Sequence, residues 1–293
     1  MNAAAIAAAL HGQRSGSSWM ARCPAHDDKT PSLSISGESS RLLVHCHAGC
    51  SQADVIRALK TRGLWSADDR TTDGPSDRAP HRDHEPDDQA RTEVALKIWG
   101  ATSPALNTLA QTYLRSRGIR LPVPSSIRFH PGLKHPSGGT WPAMVSLVTT
   151  GPNNTPVAIH RTFLGQDGDG KAPATPPKMM LGPCRGGAVR LADADDEVMV
   201  GEGIETCLSA MQATGKPAWA ALSAPGLRAL ELPSTIRKVI ILADSDDAGE
   251  NAALAAANRW MAEGHDVRIA RPPRGQDFND MLIGASNAVE VAA

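Results

Sequence analysis

The sequence predicts an α/β protein with a small antiparallel zinc-binding module first, a mixed α+β region next and a parallel sheet last. Cysteine and histidine residues near the start fall into two close pairs, which is typical of a zinc site. From Val198 onward, short apolar runs alternate with helical patterns. Strands that alternate with helices favour a parallel α/β sheet.

Length and composition exclude several classes of protein. The 293 residues suffice for two domains, or for one domain and a small module. A net charge of −1 gives no general basic surface, so any contact with nucleic acid requires a local basic patch. No apolar run is long enough to span a membrane, and the start lacks a signal-peptide pattern. We therefore expect a cytoplasmic protein, whose five cysteines do not form a disulfide framework.

The first region, residues 1–65, is predicted to be a zinc ribbon. Cys23 and His26 form one pair, and Cys46 and Cys50 form the second about twenty residues later, a spacing that closes a tetrahedral site. Between the pairs, SLSIS and RLLVH alternate apolar and polar residues, which predicts a hairpin. Because four protein ligands leave no open position, the zinc would be structural. His45 or His47 could replace one of the ligands.

Residues 66–91 are rich in Asp, Arg and Pro and contain almost no large apolar side chain, which predicts a flexible linker. Residues 92–195 then form a mixed region with local basic charge. Helices are predicted over 92–100 and 104–117, and a hairpin is predicted from strands over 144–150 and 157–164.

Within this region most basic residues are expected to be solvated surface charges. Arg161, on a predicted strand, and Lys178, after two prolines, are the exceptions. We expect these two side chains to contact the phosphates of nucleotides or of a nucleic-acid backbone.

The last region, residues 196–293, carries the candidate catalytic acids. Glu202 follows the strand VMV, and Asp244 and Asp246 follow the strand VIIL. Because the carboxyl ends of parallel strands meet at one edge of a sheet, these carboxylates should converge there. Clustered carboxylates repel one another unless a cation neutralises them, and Mg²⁺ prefers oxygen ligands. The pattern therefore predicts a magnesium site suited to phosphate chemistry.

Three further acids have two interpretations. Asp247 either points to solvent or caps the helix that starts near Ala248. Asp277 and Asp280, in RGQDFND, either complete the acidic pocket or begin the last helix.

The segments VMVGEGIET, VIILADSDDAG and GQDFND together resemble the Toprim domain of primases, topoisomerases and some nucleases. CPAHDDKTPSLSI and VHCHAGC resemble the zinc-binding module that begins bacterial and phage primases. The resemblance implies a Rossmannoid catalytic domain in which Glu202, Asp244 and Asp246 hold Mg²⁺ or Mn²⁺. PKMMLGP is similar to the primase stretch in which a lysine faces the active site. Two features depart from the family: Thr206 replaces an acid, and CHAGC has one extra residue between its cysteines.

The resemblance implies a DNA primase of the phage or plasmid variety, a DNA-directed RNA polymerase that makes primers by nucleotidyl transfer. Its partners would be single-stranded DNA, ribonucleoside triphosphates and a separate replicative helicase, since the chain ends soon after the Toprim-like region. Two alternatives are a metal-dependent Toprim nuclease and a non-catalytic replication accessory that binds DNA through the zinc ribbon.

Overall fold

The computed structural model describes residues 3–15, 18–28, 30–37, 42–65, 85–273 and 275–284. The chain divides into two compact units, residues 1–81 and 82–293. Residues 66–84 of the predicted linker lie outside the described residues. No helix in the described part of the chain is both long and apolar enough to cross a membrane.

The first unit is a four-stranded antiparallel sheet with two helices. Its elements are α1 (Ala3–Ala9), β1 (Gln13–Ser15), β2 (Ser18–Ala21), β3 (Leu33–Ser36), β4 (Leu43–Cys46) and α2 (Gln52–Thr61). The strands lie in the order β1-β2-β3-β4. The predicted hairpin is confirmed, since β3 and β4 pair antiparallel with Leu33 opposite Cys46.

The core of the first unit explains this arrangement. Leu33 and Ile35 alternate with serines, so both apolar side chains face the same side of the sheet. There they pack with Ile6 of α1 and Leu59 of α2, all fully buried. Cys46 is the last residue of the partner strand β4. Because it lies opposite Leu33 of β3, it is placed at the edge of this core.

The second unit contains two five-stranded sheets. Its elements are α3 (Glu85–Gly100), β5 (Ser103–Pro104), α4 (Leu109–Ser116), β6 (Ile127–Lys134), β7 (Thr140–Thr150), β8 (Thr155–Phe163), β9 (Lys178–Leu181), β10 (Val189–Arg190), β11 (Glu197–Gly201), α5 (Ile204–Thr214), β12 (Ala218–Ala220), α6 (Ala224–Ala229), β13 (Lys238–Leu242), α7 (Asp247–Ala262) and β14 (Asp266–Ala270). Residues 278–284 form a further short helix.

The first of these sheets is antiparallel, in the order β5-β6-β7-β8-β9. The hairpin predicted over 144–150 and 157–164 is confirmed as the central pair β7–β8. Helix α3 packs on this sheet, and the Thr92 hydroxyl donates a hydrogen bond to the Val157 carbonyl at 2.9 Å.

Two predictions in this region are corrected. Residues 85–91, assigned to the linker, form the first turns of α3, because a proline in the first turn followed by acidic residues is a helix-start pattern as well as a linker composition. Residues 104–108 are not helical. Pro104 lies in β5, and Asn107 adopts a positive φ of 58° that separates it from α4.

The second sheet has the order β10-β12-β11-β13-β14. Strands β12, β11, β13 and β14 are parallel, as predicted, and the short edge strand β10 is antiparallel, so the sheet is mixed. Buried apolar residues cover both faces, which is why β11 and β13 are continuous apolar runs. The helices predicted between these strands are α5 and α7.

Candidate metal centres and acidic pocket

The four predicted zinc ligands converge in the first unit. The ligand atoms of Cys23, His26, Cys46 and Cys50 all lie within 4.8 Å of one another. His26 Nδ1 is 3.2 Å from Cys50 Sγ and 3.9 Å from Cys46 Sγ. Tetrahedral zinc with bonds of about 2.0–2.3 Å places its ligand atoms roughly 3.3–3.8 Å apart. The donor set and its spacing therefore fit a structural zinc ion.

Asp28 supports this centre from outside the ligand set. Its carboxylate accepts hydrogen bonds from the Cys23 amide at 2.6 Å and from the Ser32 hydroxyl at 2.6 Å. The same carboxylate lies 3.6 Å from His26 Nε2. A carboxylate on the distal nitrogen is the usual partner of a zinc-bound histidine. Asp28 thus directs His26 Nδ1 toward the cysteines.

The alternative ligands His45 and His47 are not part of this group. Both rings are exposed and contact each other edge to face, with centroids 4.8 Å apart. They flank Cys46 on β4, where alternation turns Cys46 into the core and its neighbours outward.

The predicted acids converge in the second unit. Gly201 of β11 and Leu242 of β13 are Cα partners at the carboxyl ends of two adjacent parallel strands. Glu202 follows Gly201 directly, Asp244 lies two residues after Leu242, and Asp246 follows two residues later. The charges of both aspartates raise the pKa of Glu202, so the three carboxylates interact electrostatically.

Glu202 is the most buried of the three acids. Its Oε1 atom is shielded from solvent and has no hydrogen-bond partner among the described residues. Burial, together with the charges of Asp244 and Asp246, raises the pKa of Glu202 to about 7. An unpartnered buried oxygen beside two other carboxylates is a donor set that fits a divalent cation.

Asp244 and Asp246 line a pocket of about 350 Å³ beside this acid. Burial, together with the charges of Asp246 and Asp277, raises the pKa of Asp244, and the charge of Lys178 opposes this shift. The close approach of α7 to Asp244 depends on Gly249, where a Cβ atom would lie 2.8 Å from that of Asp244.

Asp246 also caps α7. Its Oδ1 atom accepts a hydrogen bond from the Gly249 amide at 2.7 Å, and its backbone is extended, as an N-cap requires. The alternative in which Asp247 caps the helix is therefore corrected: Asp247 is the exposed first residue of α7. The other reading of Asp247, a solvent-facing side chain, agrees with its exposure.

Each of the two interpretations of RGQDFND holds for part of the segment, because its two acids, Asp277 and Asp280, differ in their surroundings. Asp277 lines the pocket, whereas Asp280 does not. The Asp277 amide donates to Asp280 Oδ2 at 3.0 Å, and the Asp280 amide donates to Asp277 Oδ1 at 2.7 Å. This reciprocal pair begins the helix over 278–284 in the manner of a capping box.

Lys178 reaches the pocket, as the resemblance implies. It is the first residue of edge strand β9 and pairs with Thr162 of β8. Its ammonium group donates to Glu205 Oε2 at 2.9 Å, and Glu205 Oε1 accepts from the Tyr113 hydroxyl at 2.7 Å.

Arg161 is not among the residues that line this pocket. It shares a sheet face with Ile159 and Phe163, the face that packs in an apolar cluster with α3. Its guanidinium donates to the Met180 carbonyl at 3.2 Å and lies over the Phe163 ring at 5.8 Å. Because Lys178 is opposite Thr162, it lies on the other face, so the structure separates the two cations that the sequence placed at one site.

Several pocket residues are not identified by the sequence analysis. They are Tyr113, Arg117, Lys171 and Glu205. Glu205 is the only one with a signal, since it is the acid next to Thr206, where the family has a carboxylate. The others come from α4 and from the loop between β8 and β9, and no motif connects them to the acids.

Three family models match successive parts of the chain. Residues 3–66 match the CHC2 zinc finger, residues 89–191 match a domain of unknown function (DUF7146), and residues 197–288 match the Toprim domain. No curated protein matches the sequence.

Similar solved structures are primases of low identity. The zinc-binding and RNA polymerase domains of the Aquifex aeolicus primase are 17% identical over 99% of this chain and 81% of that chain, with a TM-score of 0.42. The primase fragment of the bacteriophage T7 primase-helicase is 15% identical over 66% of this chain and 73% of that chain, with a TM-score of 0.41. The RNA polymerase domain of Mycobacterium tuberculosis primase DnaG is 17% identical over 72% of this chain and 75% of that chain, with a TM-score of 0.36.

Two of the family models contain the candidate site residues described above. The CHC2 match contains the four converging zinc ligands, and the Toprim match contains Glu202, Asp244 and Asp246. The chain therefore combines a CHC2 zinc finger with a Toprim domain, and each of the two candidate centres lies within one of these matches.

Proposed function

We propose that this chain is a DNA primase and that the acidic pocket is the catalytic centre at which it extends a short RNA on a single-stranded DNA template. The observation that carries the proposal is the convergence of Glu202, Asp244 and Asp246 at one sheet edge, with Lys178 on the same pocket as the two aspartates. In the reaction, the 3′-hydroxyl oxygen of one nucleotide bonds to the α-phosphorus of the next. The bond between the α-phosphorus and the pyrophosphate oxygen breaks, pyrophosphate leaves, and the proton of the 3′-hydroxyl passes to water or to Glu202.

Glu202, Asp244 and Asp246 would hold Mg²⁺ or Mn²⁺. Such an ion, when bound, neutralises charge on the attacking and leaving oxygens. The unpartnered Glu202 oxygen and the mutual repulsion of the carboxylates support this assignment. Thr206 lines the pocket without a carboxylate, and Asp277 adds another acid to the same wall.

The cations of the pocket would bind the triphosphate. Lys178, Lys171 and Arg117 line the same space as Asp244 and Asp246. Burial, together with the charges of Lys178 and Arg117, lowers the pKa of Lys171, which supports a close group of cations. Such a group would orient the phosphates so that the α-phosphorus faces the acids.

The remaining assignments concern partners and domain limits. We assign template binding to the zinc ribbon of residues 1–65 and catalysis to residues 92–195 and 196–293, and a separate helicase would supply single-stranded DNA. Two of the similar structures accord with a DNA partner and a helicase: one is the primase fragment of a primase-helicase, and the M. tuberculosis domain has been solved in complex with double-stranded DNA. A phage or plasmid origin stays a prediction.

The test is primer synthesis by the purified chain on a panel of single-stranded DNA templates. With ribonucleoside triphosphates and Mg²⁺ or Mn²⁺, we expect labelled oligoribonucleotides, and we expect none from the Asp244→Asn variant. Asp247→Asn is the matched control, because it removes a neighbouring exposed acid. No product from the wild-type chain on any template would contradict the proposal.

The same preparation distinguishes the two alternatives. Cleavage of labelled DNA or RNA without nucleoside triphosphates, abolished by Glu202→Gln, would identify a nuclease. Template binding without either reaction, unchanged by Asp244→Asn, would identify a replication accessory.

A further inference from the structure

A buried ion pair joins the antiparallel sheet to the parallel sheet beside the acidic pocket. Glu205 lies in the first turn of α5, and only 7% of its surface is exposed. Its two carboxylate oxygens are divided between two partners, Lys178 Nζ at 2.9 Å and Tyr113 Oη at 2.7 Å. One glutamate therefore connects β9 and α4 to the helix that follows Glu202.

The charge state of Glu205 is fixed by these contacts. Burial alone would raise the pKa of Glu205, but the charge of Lys178 and the hydrogen bonds from Tyr113 and Lys178 outweigh it and hold the value at about 2. Glu205 is therefore an anion at neutral pH. It is not available as a proton donor, and both of its oxygens are already bonded.

Further cations lie near Glu205, in a pocket that Asp244, Asp246 and Asp277 also line. Lys171 and Arg117 line the same pocket, and the charge of Glu205 opposes the lowering of the Lys171 pKa. His160 is buried on the adjacent strand, its Nδ1 atom has no partner in the described part of the chain, and burial with the charge of Lys178 lowers its pKa to about 4. Because His160 is neutral, it does not compete with Lys178 for the Glu205 carboxylate.

The geometry of Lys178 suits a restrained phosphate contact. An ammonium group has three N–H donors, and Glu205 takes one of them. About a third of the Lys178 side chain is exposed, and it is exposed on the pocket that Asp244 and Asp246 line. The other donors can therefore meet an anion there while the buried carboxylate limits the rotamers of the lysine.

We infer that Glu205 is a positioning residue that fixes the Lys178 ammonium in the pocket and so orients the triphosphate for transfer. This inference rests on the proposed function of the pocket. It assigns Glu205 an indirect role: Glu205 acts through Lys178 and does not touch the substrate. A purely structural role would instead be to stabilise the contact between the two sheets.

The first experiment measures the restraint without requiring catalysis. Acylation of individual lysines by a water-soluble active ester is followed by mass spectrometry in the wild-type chain, Glu205→Gln and Glu205→Asp. We expect Lys178 to react several-fold faster in both variants, while exposed Lys97 reacts at an unchanged rate. Glu205→Asp keeps the negative charge but has a shorter side chain. It therefore tests the restraint on Lys178 even if Glu205→Gln does not fold.

The second experiment measures primer extension in a double-mutant cycle of Glu205→Gln and Lys178→Met. Loss of one hydrogen bond to a charged group predicts a fall in kcat of about tenfold to a hundredfold for Glu205→Gln, with little change in KM for the triphosphate. In the Lys178→Met background, Glu205→Gln should cause no further loss. Glu197→Gln is the matched control, because it breaks an exposed ion pair with Lys216 in the same domain.

The outcomes separate the two proposals. An unchanged rate of Lys178 acylation in both Glu205 variants would overturn the inference. So would a kcat loss of the same size with and without Lys178, since that result indicates a structural role. If the wild-type chain makes no primers, the proposed function fails, whereas the acylation rates still decide whether Glu205 restrains Lys178.

Discussion

Gly201 and Leu242 form the last pairing of two parallel strands, and each is followed immediately by the segment that carries a candidate metal ligand. The sheet register therefore brings Glu202 beside Asp244, although 41 residues lie between them in the sequence. The consequence is an electrostatic strain in the metal-free protein: burial and two neighbouring carboxylates raise the pKa of Glu202 to about 7.

This raised pKa predicts a pH-dependent stability. Glu202 binds its proton more tightly in the folded chain, where its pKa is about 7, than in the unfolded chain, where the carboxyl group has its ordinary pKa of 4.5. The stabilisation is complete below pH 4.5 and is lost as the pH rises through 7, so the free energy of unfolding of the Mg²⁺-free protein should fall by up to about 3 kcal/mol across this window. Denaturant titrations of the zinc-loaded chain in Mg²⁺-free buffer at pH 5, 6, 7 and 8 measure this change.

Glu202→Gln is the decisive comparison. Glu202→Gln should make the free energy of unfolding depend less steeply on pH between 5 and 8. Glu197→Gln, which breaks a partly exposed ion pair, should leave that pH dependence unchanged. Mg²⁺ at pH 8 should raise the stability of the wild-type chain and not that of Glu202→Gln. Equal slopes in the wild-type chain and Glu202→Gln would show that the carboxylate is not strained.

Asp246 serves both the pocket and α7, and two substitutions separate these roles. Asp246→Asn keeps an N-cap side chain, so we expect stability near that of the wild-type chain and loss of primer synthesis. Asp246→Ala should lose the activity and also about 1 kcal/mol of stability. Thermal unfolding and primer extension measure the two effects. Wild-type activity in Asp246→Asn would remove Asp246 from the catalytic centre.

Asp28 is expected to control zinc affinity without binding zinc. Its carboxylate lies on the distal nitrogen of His26, and removal of such a partner weakens metal binding by about tenfold to a hundredfold. Competition with a chromogenic chelator should show this loss in Asp28→Asn. Asp27→Asn, which removes the neighbouring exposed acid, should bind zinc as the wild-type chain does. Equal affinities in the two variants would contradict the role of Asp28.

The sequence predicts the two metal centres because their residues follow local rules. Cys23, His26, Cys46 and Cys50 have the spacing of two zinc knuckles, and Glu202 with Asp244 follows apolar runs that can only be buried strands. Parallel pairing then brings strand ends together whatever the intervening sequence is. Lys178 enters only through the family resemblance, because nothing in its own segment indicates the acidic pocket.

The remaining features depend on long-range packing. Tyr113 and Glu205 are 92 residues apart, and no pattern along the chain predicts their hydrogen bond. Arg161 lies on a correctly predicted strand, yet alternation alone does not say which face meets the pocket and which meets α3. The start of α3 is not predicted for a different reason, since its acidic first turn has the same composition as a linker.

The central claim is that three carboxylates at the ends of β11 and β13 bind a divalent cation, and Mn²⁺ binding followed by electron paramagnetic resonance tests it most directly. The zinc-loaded wild-type chain should bind Mn²⁺, Glu202→Gln and Asp244→Asn should each weaken that binding by at least about tenfold, and Asp247→Asn should bind as the wild-type chain does. Unchanged Mn²⁺ affinity in both Glu202→Gln and Asp244→Asn would contradict the account.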